Sequence, residues 1–184
     1  MAEQRPEVTF LRHLPLTEAA IIWAVERHRG QRREADGAAF VMHPIEVAAL
    51  VESSEYPDYV VAAAVLHDVL ENTDETVEEL ESRFGPEVAQ LVEAVSDDPT
   101  LSDEEERKRE LRERVRETGG YAAVVYAADK VSKVREIRTA LATGAAPDDV
   151  DDKLRRHRES LEMLEQTMPG AHLVELLRAE LATV

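Results

Sequence analysis

The feature that most limits how this chain can fold is a histidine–aspartate pair directly after an apolar run. Residues 60–66 are all Val, Ala or Leu, and His67-Asp68 follows them without a polar spacer. An unpaired carboxylate is so costly to bury that it normally acquires a charged partner, a proton or a metal ion. The pair therefore predicts a buried polar site at the end of a buried segment.

A second histidine and a second aspartate complete a set of four candidate ligands. His43 lies 24 residues before His67 in a Met-His-Pro segment, and Asp129 lies 61 residues after Asp68 in another apolar setting. Two imidazoles and two carboxylates suit one divalent transition metal ion, with Mn²⁺, Fe²⁺ and Zn²⁺ all compatible. The same four residues would also suit a buried His–Asp hydrogen-bond network, and the residues alone leave both interpretations open.

The composition favours helices over sheets. Aromatic residues make up only 4% of the 184 residues, and Ala, Leu, Val and Glu dominate. No segment alternates as a surface strand does, and no internal repeat is evident. We predict an all-α fold with one domain over residues 17–184, preceded by a tail at residues 1–16.

Capping residues and helix breakers predict the limits of individual helices. Thr17 is predicted to cap the first helix, Thr76 with Glu79 matches a capping box, and Ser102 is predicted to cap a highly charged helix. The segment 57–72 is interpreted as one helix that carries the His-Asp pair. Further helices are predicted from Pro44, from Pro86, around Asp129, and over residues 147–167 and 171–182.

Net charge and the termini limit the partners. A formal charge of −17 argues against wrapping duplex nucleic acid, although a small anionic substrate could still bind one basic pocket. The cations are 18 Arg and 4 Lys, a bias that we attribute to genomic base composition. The N-terminus lacks the apolar core of a signal peptide, and no apolar run approaches membrane-spanning length. We therefore expect a cytoplasmic protein without a membrane partner, and the oligomeric state stays open.

Helical spacing adds a candidate acid–base group beside the four ligands. Glu71 follows His67 by four residues, so the two side chains would share a helix face. A general base for the attacking water would sit there, one turn beyond a metal ion. Asn72 has the same relation to Asp68 and is a second candidate for the reaction site.

Seven segments form a pattern by their order and spacing. They are His-Arg-Gly-Gln-Arg-Arg (28–33), Gly-Ala-Ala-Phe-Val-Met-His-Pro (37–44), Leu-His-Asp-Val-Leu-Glu-Asn-Thr (66–73), Phe-Gly-Pro-Glu-Val (84–88), Val-Ser-Asp-Asp (95–98), Glu-Arg-Lys-Arg (106–109) and Ala-Asp-Lys-Val (128–131). In this pattern the chain resembles the HD-domain metal phosphohydrolases. Within them it is similar to the small alarmone hydrolases, the stand-alone relatives of the hydrolase domain of Rel/Spo-type (p)ppGpp enzymes. The resemblance extends over residues 17 to 183.

The resemblance implies an HD-domain helical bundle with one Mn²⁺-like ion. Its metal ligands would fall on His43, His67, Asp68 and Asp129. The reaction that it implies is attack of a metal-activated water on the 3′-pyrophosphate of a guanosine alarmone, with release of pyrophosphate. No synthetase activity is expected.

Four positions depart from the family pattern. The acidic pair after the His-Asp motif is Glu71-Asn72 instead of Glu-Asp, and Glu34 replaces a lysine after Arg33. Tyr126 replaces a lysine, and Lys133 replaces an asparagine near the nucleoside. We assign Arg33, Lys133 and Tyr126 to substrate binding.

These departures beside an intact metal set suggest hydrolysis with altered substrate choice. The alternatives are a catalytically weak nucleotide-binding or regulatory protein and an HD-type nucleotide phosphatase. His157 shows no partner pattern and is interpreted as a surface or packing residue.

Overall fold

A computed structural model describes residues 14–33, 36–145 and 148–184. Within these ranges the secondary structure is helical, apart from a single isolated bridge between Arg32 and Ala39. The all-α prediction is therefore confirmed. The helices are α1 (Pro15–Arg27), α2 (Met42–Glu52), α3 (Asp58–Leu66), α4 (Val69–Asn72), α5 (Val77–Phe84), α6 (Pro86–Val95), α7 (Glu104–Thr118), α8 (Gly120–Thr143), α9 (Val150–Thr167) and α10 (His172–Leu181).

Helices α3 and α8 lie at the centre of the bundle. Every residue from Val60 to Leu66 is fully buried, as the apolar run predicts. Helix α3 packs against α1, α2, α6 and α8, while α8 also contacts α7, α9 and α10. The end of the apolar run and the middle of α8 are thereby fixed beside each other in the core.

The predicted cap of the first helix is wrong. Helix α1 begins at Pro15, and Thr17 lies within it instead of before it. The Asp58 carboxylate, from the start of α3, accepts hydrogen bonds from the backbone amides of Leu16 and Thr17 at 2.9 Å each. The Thr17 hydroxyl also donates to Asp58. A side chain from another helix therefore satisfies the free amides of the first turn.

The prediction of one continuous helix through the His-Asp pair is also wrong. Helix α3 ends at Leu66 and α4 begins at Val69, so His67 and Asp68 lie in a two-residue break. The His67 ring donates from Nδ1 to the carbonyl oxygen of Ala64 at 2.8 Å. In an uninterrupted helix that carbonyl would accept the amide of Asp68. The Asp68 backbone instead has φ −94° and ψ −2°, in a region often used by active-site residues.

The other predicted caps have mixed outcomes. Thr76 accepts from the Glu79 amide as the capping box predicts, whereas Asp103, and not Ser102, caps the charged helix α7. Among the described residues, none of the helices combines the length and the apolar character needed to cross a bilayer. Residues 1–13 of the predicted tail lie outside the described residues, so the division into tail and domain stays a prediction.

Candidate metal centre

Three separate parts of the bundle bring the four predicted ligands together. His43 lies in the first turn of α2, His67 and Asp68 occupy the break between α3 and α4, and Asp129 lies in the middle of α8. All four side chains are buried. Because α3 packs against both α2 and α8, residues that are far apart in sequence meet at one point in the core.

The ligand atoms of this cluster are close enough to share one ion. The Nε2 atom of His43 lies 3.1 Å from Asp129 Oδ1 and 3.5 Å from Asp68 Oδ2. One atom from each of His43, His67 and Asp129 can be chosen so that all lie within 4.8 Å of one another. Ligands about 2.1 Å from one ion lie about 3 Å apart at right angles, so these separations fit a single divalent cation.

The hydrogen bonding of His67 directs its Nε2 at the two carboxylates. A carbonyl oxygen only accepts, so the bond to Ala64 places the proton on Nδ1 and leaves Nε2 of the neutral ring with a bare lone pair. This buried Nε2 has no hydrogen-bond partner. It lies 3.3 Å from Asp68 Oδ1 and 3.5 Å from Asp129 Oδ1. A lone pair that faces two carboxylate oxygens requires a cation between them or a second proton on the ring.

The His43 ring, like that of His67, uses Nδ1 for a hydrogen bond and turns Nε2 toward the carboxylates, but its hydrogen-bond partner is different. Its Nδ1 lies 3.0 Å from the Ser132 hydroxyl, which donates to Glu46 Oε2 at 2.9 Å. The Ser132 oxygen therefore accepts from Nδ1–H, and Nε2 points at the carboxylates. Burial lowers the pKa of His43, but contacts with Asp129 and Glu136 outweigh it and raise the pKa to about 9. These acidic neighbours stabilise positive charge at this point, whether it comes from a proton or from a metal ion.

Both aspartates are ionised and so are ready to act as ligands. Burial opposes ionisation of Asp68, but His67 and Lys133 lower its pKa to about 2. Burial also opposes ionisation of Asp129, but the charges of Lys130 and Lys133 outweigh it and hold the pKa of Asp129 well below its usual range. The two ammonium groups lie 2.7 Å and 3.1 Å from the Asp129 oxygens.

A cavity of about 670 Å³ opens onto this cluster, and its walls are rich in cations. His43, Asp68, Glu71 and Asn72 line it on the side of the cluster. The chain has only four lysines, and all of them line this cavity despite the net charge of −17. The basic lining residues are Arg32, Arg33, Lys108, Arg112, Lys130, Lys133, Lys153 and Arg156.

The comparison with known families agrees with this geometry. Residues 20–156, which include all four candidate ligands, match the HD domain family. The chain belongs to the HD domain family. The resemblance predicted from the sequence motifs is thereby confirmed at the level of the family.

Two curated relatives of this HD domain chain are named guanosine-3′,5′-bis(diphosphate) 3′-pyrophosphohydrolase MESH1. The mouse protein is 40% identical over 132 residues, which cover 70% of this chain and 73% of the relative. The human protein is 41% identical over 125 residues, covering 66% and 69%. A solved structure described as a metazoan ortholog of SpoT that hydrolyzes ppGpp superposes with a TM-score of 0.81 at 28% identity, covering 98% of this chain and 97% of that one. The chain is therefore a metal-dependent hydrolase of the HD superfamily.

The predicted acid–base group of this HD domain lies at the cavity wall. Glu71 is reachable by solvent there, and its Oε1 accepts from the Asp97 amide at 2.8 Å. Desolvation by the surrounding walls raises the pKa of Glu71, and the neighbouring Asp68 carboxylate raises it further. A raised pKa suits a carboxylate that must accept a proton near neutral pH. The Asn72 amide donates to the backbone oxygen of Asp68 at 3.2 Å, so it is turned toward the chain break.

The three predicted substrate residues line the same cavity. Arg33 reaches Glu136 at 3.2 Å, and Lys133 contacts Asp129 at 3.1 Å. Tyr126 is buried, and its hydroxyl lies 2.9 Å from the Ser160 hydroxyl. The ring of Tyr126 carries the ammonium of Lys130 over its face at 4.2 Å. Glu34, the fourth departure from the family pattern, lies outside the described residues.

Several cavity residues have no counterpart in the sequence prediction. His157 lines the cavity, although the sequence was interpreted as placing it at the surface or in packing. Desolvation by burial, together with the nearby Lys130, lowers the pKa of His157 to about 3, so its ring is neutral. Lys153 and Arg156, from the same helix, line the far wall with it. The scarcity of lysine was a usable signal, since all four lysines turn out to share one cavity.

Proposed function

We propose that this protein hydrolyses the 3′-pyrophosphate of a guanosine bis(diphosphate), with a divalent ion held by His43, His67, Asp68 and Asp129. The observation that carries the proposal is the buried Nε2 of His67, which has no hydrogen-bond partner and faces two ionised carboxylates. The named activity of the mouse and human relatives supports the substrate. Among divalent ions, Mn²⁺ is our choice.

The residues of this chain would divide the reaction among them. An ion bound at the cluster supplies Lewis-acid activation of water and of a phosphoryl oxygen. Glu71 would take the proton from the attacking water, since it lies at the cavity wall with a raised pKa. Arg33 and Lys133 would bind the phosphate that is attacked. Tyr126 would line the nucleoside side of the cavity.

The distribution of cations favours a substrate with anionic groups at both ends. Lys133 lies at the cluster, whereas Lys153 and Arg156 line the wall formed by α9. Arg156 is paired with Glu104 at 3.1 Å and Lys153 with Asp149 at 3.1 Å, so a bound anion would share these donors. A nucleoside monophosphate has no second anionic group for Lys153 and Arg156 to bind. A nucleotide with phosphates on both the 3′ and 5′ positions has such a group.

A panel of nucleotides tests the proposal directly. Phosphate and pyrophosphate release would be measured from ppGpp, GTP, NADPH and nucleoside monophosphates, with Mn²⁺ and again after EDTA. We expect pyrophosphate from ppGpp, lost with EDTA and restored by Mn²⁺. Activity confined to another nucleotide of the panel would contradict the substrate. Release that persists after EDTA would contradict the metal.

The second candidate function is nucleotide binding with little catalysis, and Asn72 favours it. An amide cannot accept the proton that the aspartate of the family could, and this amide already donates to the Asp68 backbone. We expect Asn72→Asp to raise kcat for ppGpp by about 100-fold, the lower end of the usual contribution of a positioned acid–base group. Asn72→Ala removes the amide without adding a carboxylate, so it should give no such gain.

Steady-state kinetics of the two variants check this prediction. A gain confined to Asn72→Asp would identify a specialised or weakened hydrolase. A loss, or an unchanged rate, in Asn72→Asp would indicate a different native substrate. The cytoplasmic location stays a prediction.

A further inference from the structure

Residues on one face of helix α8 contact both nitrogen atoms of the His43 ring. Asp129, Ser132 and Glu136 are spaced by three and four residues, so they lie on the same side of the helix. Asp129 Oδ1 approaches Nε2 of the ring at 3.1 Å. On the opposite edge, Nδ1 lies 3.0 Å from the Ser132 hydroxyl and 3.3 Å from Glu136 Oε1. The Nδ1 proton is directed to Ser132, and the Glu136 carboxylate lies beside that hydrogen bond.

Glu136 has a second partner that belongs to the cavity wall. Arg33, from the segment between α1 and α2, places Nη1 3.2 Å from Glu136 Oε1. The Nε and Nη2 atoms of Arg33 donate to the Asp36 carboxylate. The Arg33 and Glu136 side chains are only 17% and 22% exposed, so this pair is largely shielded from water. One carboxylate oxygen therefore touches both a candidate metal ligand and a candidate substrate-binding residue.

We propose that Glu136 is a positioning residue that orients His43 for metal binding and that Arg33 holds Glu136 in place. This inference rests on the proposed role of His43 as a metal ligand. Histidine ligands generally depend on the partner of their second ring nitrogen, and loss of such a partner typically lowers metal affinity by about 10- to 100-fold. Here Ser132 accepts the Nδ1 proton of His43, and Glu136, whose Oε1 lies 3.3 Å from the same nitrogen, is fixed by an arginine that faces the substrate cavity.

The direction in which metal affinity changes when Arg33 is replaced distinguishes a positioning role from simple electrostatics. By Coulomb's law alone, removal of the Arg33 charge should tighten binding of a dication in the adjacent cluster. If Arg33 instead holds Glu136 against His43, its removal should weaken metal binding. Arg33 then acts on the metal centre only through Glu136, so its effect should disappear once Glu136 has been replaced.

The test measures Mn²⁺ affinity by electron paramagnetic resonance, without any substrate. Glu136→Ala should weaken Mn²⁺ binding by about 10-fold, the lower end of the usual range, because Ser132 still accepts the Nδ1 proton. Glu136→Gln keeps an oxygen beside His43, so it should weaken binding less. Arg33→Gln should also weaken Mn²⁺ binding, and Arg33→Gln combined with Glu136→Ala should bind no more weakly than Glu136→Ala alone. Thermal unfolding of each variant shows that the bundle is intact.

An exposed pair on α7 provides a matched control. Arg116 and Glu113 form an arginine–glutamate ion pair outside the cavity. Arg116→Gln and Glu113→Ala remove the same charges, and neither should weaken Mn²⁺ binding.

Unchanged or tighter Mn²⁺ binding in Arg33→Gln would overturn the proposed link from Arg33 through Glu136 to His43. Additive losses of Mn²⁺ affinity in the double variant would overturn it as well. If the unaltered protein bound no Mn²⁺, the proposed metal site and the link would fall together. A protein that binds Mn²⁺ normally but fails to hydrolyse ppGpp would contradict only the proposed substrate.

Discussion

Asp129→Ala is expected to abolish both metal binding and turnover. Asp129 approaches Nε2 of both His43 and His67, and its low pKa keeps it ionised as a ligand. Removal of a direct ligand should lower Mn²⁺ affinity by more than the 10- to 100-fold typical of indirect partners. The check is Mn²⁺ binding by electron paramagnetic resonance together with ppGpp turnover. Full Mn²⁺ stoichiometry and rate in this variant would contradict the metal assignment.

The stability of this variant must be separated from its metal binding. Lys130 is buried and its ammonium lies 2.7 Å from Asp129, so Asp129→Ala leaves a buried charge unpaired. Breaking a buried ion pair costs about 3–5 kcal/mol, whereas replacing both partners is often close to neutral. We therefore expect the double variant Asp129→Asn with Lys130→Met to fold and still bind no Mn²⁺. Asp98→Asn, at a half-buried loop position outside the cavity, is the matched aspartate control.

The cluster of four candidate metal ligands could be anticipated because burial is visible in the sequence. The apolar residues before His67 and around Asp129 indicate that His67, Asp68 and Asp129 lie inside the protein. A buried carboxylate needs a charged partner, a proton or a metal ion. With His43, these residues offer two imidazoles and two carboxylates, a set that suits one divalent metal ion.

Contacts between distant segments could not be anticipated in this way. Thr17 looks like a helix cap, but Asp58 from another helix satisfies the amides that a local cap would serve. The segment around His67 contains no glycine or proline, so nothing local predicts the break before Val69. The break accompanies a bond from the His67 ring to a backbone carbonyl of its own helix.

The far wall of the cavity illustrates the same limit. Arg156 pairs with Glu104 and Glu105, which are about fifty residues away in sequence. Such pairs depend on how α7 and α9 pack, and helix patterns do not encode that packing. His157 was therefore interpreted as a surface or packing residue, although it lines the cavity.

Glu71→Gln is expected to lower kcat for ppGpp by about 10²- to 10⁴-fold, the usual contribution of a positioned general base. Glutamine has nearly the same shape, and its amide oxygen can still accept from the Asp97 backbone amide as Glu71 does at 2.8 Å. The substitution therefore removes proton acceptance and leaves the packing of the cavity wall. Mn²⁺ affinity should be unchanged, because Glu71 is not one of the proposed ligands.

Glu75→Gln, four residues further along in the segment between α4 and α5, is the matched control for this prediction. Glu75 pairs with Arg27 at 2.8 Å and does not line the cavity, so its loss should leave kcat unaltered. Retention of kcat in Glu71→Gln would make Glu71 an ordinary carboxylate of the cavity wall. A parallel loss of Mn²⁺ affinity would instead make it part of the metal centre. A fall in kcat with unchanged Mn²⁺ affinity would assign Glu71 to proton abstraction from the attacking water. Because Asn72 stands in place of a second carboxylate, Glu71 must then carry out this proton transfer alone.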